Sequence, residues 1–134
     1  MKKVFQDKYR MECTFSDAGI LFRNSRRVTY YPYGCLESIN LSFMGVMQAV
    51  SRAQVCCFIV SRENKAEIKE LLKKTRAAMQ SAPAAEPVVV DLEKLPVDQS
   101  LPAEEQLQQF KTLYVQGVIT KDQQRLMKEI LAEA

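Results

Sequence analysis

Apolar and polar residues alternate one by one from Lys8 to Phe15. Tyr9, Met11, Cys13 and Phe15 fall on one side; Lys8, Arg10, Glu12 and Thr14 fall on the other. Period two with one polar face predicts a half-buried antiparallel strand over 8–15. Phe5 and Asp7 extend the pattern less well, so the strand is expected to bend or to begin near Tyr9. Ser16-Asp17-Ala18-Gly19 reads as a turn, followed by a short strand from Gly19 to Arg23 with Ile20 and Phe22 on one side. Asn24-Ser25 predicts a tight hairpin. Arg27–Tyr31, rich in β-branched and aromatic residues, is the next strand, and Pro32 and Gly34 break it. Leu36–Phe43 alternates again, with Ile39, Leu41 and Phe43 opposite Ser38, Asn40 and Ser42. Met44-Gly45 turns the chain, Val46–Val50 is a strand, and Ser51-Arg52-Ala53 turns it back. Val55–Val60 is continuously apolar, which predicts a strand covered on both faces.

From about Arg62 the period becomes helical. Ile68, Leu71, Leu72, Thr75 and Met79 make one stripe up to Met79. Ser61 is the expected N-cap, with Glu63 favouring the positive end of the dipole. Lys65, Lys69, Lys73, Lys74 and Arg76 lie mostly off the stripe, as a solvated face does. Beyond Gln80 the composition shifts to a Pro- and Ala-rich tether through Pro102. Its one apolar island, Val88-Val89-Val90, suits addition to a sheet edge.

The last stretch reads as two short helices joined by a tight turn. Leu107, Phe110, Leu113 and Tyr114 form the first apolar stripe, and Pro102, Glu104 and Glu105 suit its start. Gly117 fits a left-handed C-cap. Val118 and Ile119 bridge the turn, and Thr120 with Gln123 fits a capping box for the second helix. Leu126, Met127, Ile130 and Leu131 form its apolar face. About ten apolar residues on some 30 residues do not offset the ordering entropy alone, at ~25 cal/mol per Å² buried against ~1.5 kcal/mol per ordered residue. The pair is therefore expected to dock on another such pair, on its own chain or on a partner.

The expected layout is α+β. An antiparallel β-roll of about six strands with a capping helix spans 1–80, a linker spans 81–102, and a helical hairpin spans 103–134. A meander closed by one C-terminal helix resembles the pleckstrin-homology-like (PH-like) roll. The segment Tyr31-Pro32-Tyr33-Gly34-Cys35-Leu36-Glu37-Ser38-Ile39 is similar to the run that leads from the third strand to the fourth in bacterial members. The likeness covers roughly residues 8–79, and not all of that fold's seven strands are visible in it. The last stretch resembles the SHOCT motif, a short C-terminal domain of many bacterial proteins, through Leu107, Leu113, Gly117, Ile119, Thr120, Lys128 and Leu131. It departs where that family often opens its second helix with acidic residues and an aromatic. Here Asp122 is followed by Gln123, Gln124 and Leu126. That likeness implies oligomerisation or partner binding and no catalysis.

The charge is uneven. Residues 1–80 hold 14 basic and 7 acidic side chains, a net of +7, and 81–134 hold 5 and 9, a net of −4. Such halves face a polyanion or attract each other. Arg23, Arg26, Arg27 and Arg52, near strand turns, are the candidate anion-binding residues. The first turn of the roll is short and acidic, unlike the basic first hairpin that phosphoinositide-binding rolls use. The second helix of the C-terminal pair has only Lys121, Arg125 and Lys128, too few clustered cations for reading nucleic acid.

Cys13, Cys35, Cys56 and Cys57 match no zinc spacing, and the chain has no histidine. They are expected to be reduced and buried. A Cys56–Cys57 redox pair has no basic neighbour to lower a thiol pKa. No cofactor, metal or enzyme motif is recognised. The start, Met1-Lys2-Lys3, has no apolar run behind it, no stretch suits a bilayer span, and the expected location is the cytoplasm. The expectation for function is a non-catalytic assembly or adaptor protein acting as a homo-oligomer or with a protein partner. Its interaction residues would be Leu107, Phe110, Leu113, Tyr114, Ile119, Leu126, Met127, Ile130 and Leu131. The alternative is a module that contacts an anionic ligand or a membrane surface peripherally through the four arginines.

Overall fold

The computed structural model describes residues 2–52 and 54–133. Among these, eight strands form two antiparallel sheets, accompanied by three α-helices. The chain divides into two compact units, one of residues 1–24 and 29–87 and one of residues 25–28 and 88–134.

In the first unit, β1 (Lys3–Gln6), β2 (Glu12–Phe15), β3 (Gly19–Arg23) and β4 (Arg27–Pro32) follow one another in one sheet. β5 (Ser38–Leu41), β6 (Val46–Ser51) and β7 (Gln54–Ile59) form the other. The register sets Phe5 opposite Cys13 and Cys13 opposite Phe22. One row across three strands is thereby buried. α1 (Lys65–Ser81) closes the unit, burying Ile68, Leu71, Leu72 and Thr75 of the stripe expected of it, with Met79 half-buried. Phe5 meets Phe15 edge-on and Phe22 meets Tyr31 likewise, with centroids 6.0 Å apart in both pairs, the geometry that aromatic quadrupoles favour.

Several expectations are corrected. The strand expected over 8–15 is two elements. Lys8–Met11 is part of the β1–β2 turn, with Tyr9 exposed and Arg10 left-handed at φ 65°. The alternation of residue types there is not an alternation of burial, since Lys8, Tyr9 and Arg10 are all exposed. β1 carries no visible period, since its one buried residue, Phe5, sits between exposed neighbours. The strand expected over 36–43 stops at Leu41, leaving Phe43 exposed in a turn. β7 is an edge strand with Val55 and Cys57 exposed, so its apolar run is covered on one face only. α1 starts at Lys65 after a 3-10 turn, and Ser61 makes no side-chain cap bond. The turn expected over Ser51-Arg52-Ala53 includes Ala53, which lies outside the described residues, as do Met1 and Ala134.

Among the described residues no disulfide joins the cysteines. Burial, expected of all four, holds fully only for Cys13; Cys57 is exposed, with Cys35 and Cys56 between. Burial raises the Cys13 thiol well above its ordinary pKa, with lesser repulsion from Cys56, Asp7 and Glu12.

In the second unit, β8 (Val88–Asp91) lies beside β4, whose Arg27 and Val28 belong to this unit. α2 (Ala103–Val115) and α3 (Lys121–Ala132) complete it. The valine island inside the expected tether is therefore a strand.

Candidate interaction surface

Each end of the helix pair is built by local chemistry. Pro102 sits just before α2 and accepts hydrogen bonds from the Glu105 and Gln106 amides at 3.0 Å. Glu104 and Glu105 occupy the first turn, where they meet the positive end of the helix dipole. α2 ends in a Schellman arrangement. Gly117, at φ 78°, donates to Tyr114 O, and Val118 donates to Leu113 O at 2.9 Å. The Thr120–Gln123 capping box forms as the spacing predicts: Thr120 Oγ1 accepts from Gln123 N at 3.1 Å, and Gln123 Oε1 accepts from Thr120 N at 2.7 Å.

The stripes named as interaction residues are mostly covered. Phe110, Leu113, Ile119, Leu126, Met127 and Ile130 are buried, Leu107 and Leu131 are half-buried, and only Tyr114 is exposed. α2 packs on α3, and α3 packs on β8, where Val90 is buried, as is Leu92 just after it. The side that water would reject is thus met within the unit itself. Full burial of Phe110 or Ile130 is worth roughly 1.5–3 kcal/mol over leaving it in water.

Glutamines finish the docking. Gln123 Nε2 donates to Val89 O at 2.8 Å. Gln106 Nε2 donates to Leu101 O at 2.8 Å and Gln99 O at 3.1 Å. Gln109 Oε1 accepts from Asp98 N, and Gln99 Nε2 donates to Ser25 O. Asp98 accepts from the Ser100 hydroxyl and then its amide, which lowers the carboxyl's pKa. These residues pin the segment whose composition suggests a tether. Their signal in the sequence is Gln106 and Gln109 at i, i+3 beside the leucine stripe, a spacing that puts both on one helix face.

What remains open is the turn between the helices. Tyr114, Val115 and Val118 are exposed at 38%, 76% and 54%, and nothing lies within 4 Å of the position a side chain would take on Gly117.

Each of the four candidate anion-binding arginines faces a carboxylate. Arg23 pairs with Glu12 at 3.4 Å and Arg52 with Glu86 in the first unit. Arg26 pairs with Glu93 at 3.3 Å and Arg27 with Asp91 at 3.7 Å in the second. Part of the opposite charge on the two halves is thus matched inside the second unit, which takes Arg26 and Arg27 from the basic half.

Among the described residues no group of three or more Cys, Asp or Glu side chains is placed to hold a metal ion, and no helix is long and apolar enough to cross a membrane. No family model matches the chain, and neither the curated proteins nor the solved structures hold a match to it.

Proposed function

We propose that this chain is a non-catalytic assembly or adaptor protein of bacterial type, with a PH-like roll as scaffold and a SHOCT-like helical hairpin as the contact element. The occupant we assign to the hairpin is a second copy of the chain. The observation behind this reading is the trio Tyr114, Val115 and Val118, left in water at the hairpin's turn while the helix stripes beside it are buried. The contact surface is therefore the turn, and the stripes serve the fold of the second unit. Compact apolar clusters rich in an aromatic, set among polar residues such as Gln116 and Lys111, have the composition of small interface cores.

The test is solution mass by light scattering across a dilution series, on the full chain and on a variant carrying Val115→Glu and Val118→Glu. The expected result is an assembled wild type that dissociates on dilution and a variant of lower mass at every concentration. Equal masses for the two would overturn the reading. Truncation before the hairpin is a poorer test, because it strips the cover from Val90 and Leu92 and invites new aggregation.

A further inference from the structure

A second exposed apolar cluster lies at one end of the first unit, where three turns meet on two residues. In the β5–β6 turn, Gly45 N donates to Ser42 O at 3.0 Å, so Phe43 and Met44 occupy the tip. They are exposed at 90% and 78%. Gly45 O accepts from Val60 N at 2.7 Å, and the preceding residue, Ile59, donates to Asp7 Oδ2 at 3.4 Å. Asp7 organises the β1–β2 turn, its Oδ1 accepting from the amides of Tyr9 and Met11 at 2.9 Å. Ile59 and Val60 thereby hold both turns, and the chain leaves them directly into Arg62 and Lys65.

The chemistry gathered there is of one kind. Phe43, Met44 and Tyr9 stand in water. Lys8 and Arg10 flank Tyr9 in the chain, Arg62 and Lys65 follow Val60, and Lys8 Nζ lies 5.3 Å from the Tyr9 ring centroid. The acids next to these turns in the chain are Asp7, whose oxygens are taken up by three backbone amides, Glu12, which pairs with Arg23 at 3.4 Å, and Glu63. Among the described residues Lys8, Arg10 and Arg62 have no carboxylate partner, in contrast to Arg23, Arg26, Arg27 and Arg52.

We propose that this end of the first unit is a wedge for an anionic lipid surface, with Phe43 and Met44 entering the boundary between headgroups and acyl chains and Lys8, Arg10 and Arg62 on the headgroups. The tip is a turn whose side chains stand in water; they are covered by a medium that closes around them, which a fluid bilayer does without a preformed pocket. Tyr9 suits the headgroup level, where one end of the ring is apolar and the other wet. The unpaired cations complement the negative leaflet. None of these residues belongs to the helix-pair turn of the proposed assembly.

The chain has no tryptophan, so Phe43→Trp in the full-length protein is a single reporter at the tip. With vesicles of mixed phosphatidylserine and phosphatidylcholine, its emission shifts to the blue and the protein co-sediments. Phosphatidylcholine alone gives neither effect, and added salt weakens both. The double variant Phe43→Ser with Met44→Ser loses at least about tenfold in vesicle affinity. Arg10→Gly keeps the left-handed backbone and loses several-fold through charge alone. The proposal is overturned if the indole emission of the Phe43→Trp variant ignores anionic vesicles, if inorganic phosphate alone produces the shift, or if the serine variant sediments like wild type. A serine variant with lower solution mass in the absence of lipid also overturns it, since the tip would then serve a second copy of the chain.

Discussion

The side-chain amide of Gln123 is shared between two jobs: its Oε1 caps the first turn of α3 at Thr120 N, and its Nε2 donates to the carbonyl of Val89 in β8. The start of α3 and its seat on the strand are therefore one structural event. Gln123→Glu separates them. A carboxylate still completes the capping box, but it has no donor for Val89 O and faces that carbonyl with negative charge. The expected cost is about 1–3 kcal/mol, the penalty for leaving a part-buried acceptor unmet. Hydrogen exchange should then speed up in β8 and α3 together, while α1 is unchanged. Exchange altered in α3 alone would mean that the Val89 bond contributes nothing.

Gly34 fits only because it lacks a side chain: a Cβ there would collide with the carbonyl oxygen of Pro83. The neighbouring Tyr33 hydroxyl donates to Ser16 O, and its amide donates to Ala18 O. The Tyr33-Gly34 pair thus ties the β2–β3 turn and the segment after α1 to one 3-10 turn. Gly34→Ala forces backbone apart and is expected to cost about 1–3 kcal/mol or more, as overpacking does. A lower urea midpoint with unchanged slope checks it. Gly117→Ala is the contrast. Nothing crowds that site, so its cost is only the left-handed conformation, roughly 1–2 kcal/mol, in the second unit.

Gly117 is legible in the sequence as a cap, whereas the crowding at Gly34 is not, and the difference is one of range. The hairpin caps and the α1 stripe rest on residues within five positions of one another: Thr120 with Gln123, Leu113 with Val118, Ile68 with Leu72. Strand β1, the one-sided cover of β7 and the place of Val90 depend on partners far along the chain, which no local period encodes. The seat of β8 beside the start of β4 joins positions about sixty residues apart. Val88–Val90 is recognisable as apolar and β-prone, yet its neighbour is not. The arginines are visible as charges, but their carboxylates are fixed only by the fold.

The thiols should react in the order of their exposure. Cys57 is open on edge strand β7 and should label first with a thiol reagent near neutral pH. Cys13 should label only as the first unit opens. Its raised folded pKa also has a thermodynamic sign. Below the unfolded thiol value, about 8.5, both states hold the proton and stability is unaffected. Above it the unfolded state loses the proton first, so stability falls as pH rises toward the folded value. Tyr33, raised chiefly by burial, adds the same sign higher up. Cys13→Ala should flatten the thiol part of this alkaline loss, at the cost of a small cavity. An equal fall of the urea midpoint in wild type and Cys13→Ala between pH 8 and 10, roughly the window set by the unfolded thiol value, would argue against it.

The buried stripe and the exposed turn of the helix pair should separate cleanly by mutation. Phe110 is 1% exposed, so Phe110→Ala removes a packed ring and leaves a cavity. The expected loss is about 3–5 kcal/mol in the second unit. Val115→Ser with Val118→Ser touches side chains already in water and should change stability by no more than about 0.5 kcal/mol per site. The assembly phenotype should run the other way. The turn variant loses mass while keeping its melt, whereas Phe110→Ala loses its melt and exposes buried apolar side chains of the helix pair to promiscuous association. If the turn variant keeps its mass and Phe110→Ala becomes a well-folded monomer, the stripes rather than the turn hold the copies together, and Leu107 and Leu131, half-buried at the stripe margins, become the residues to change next.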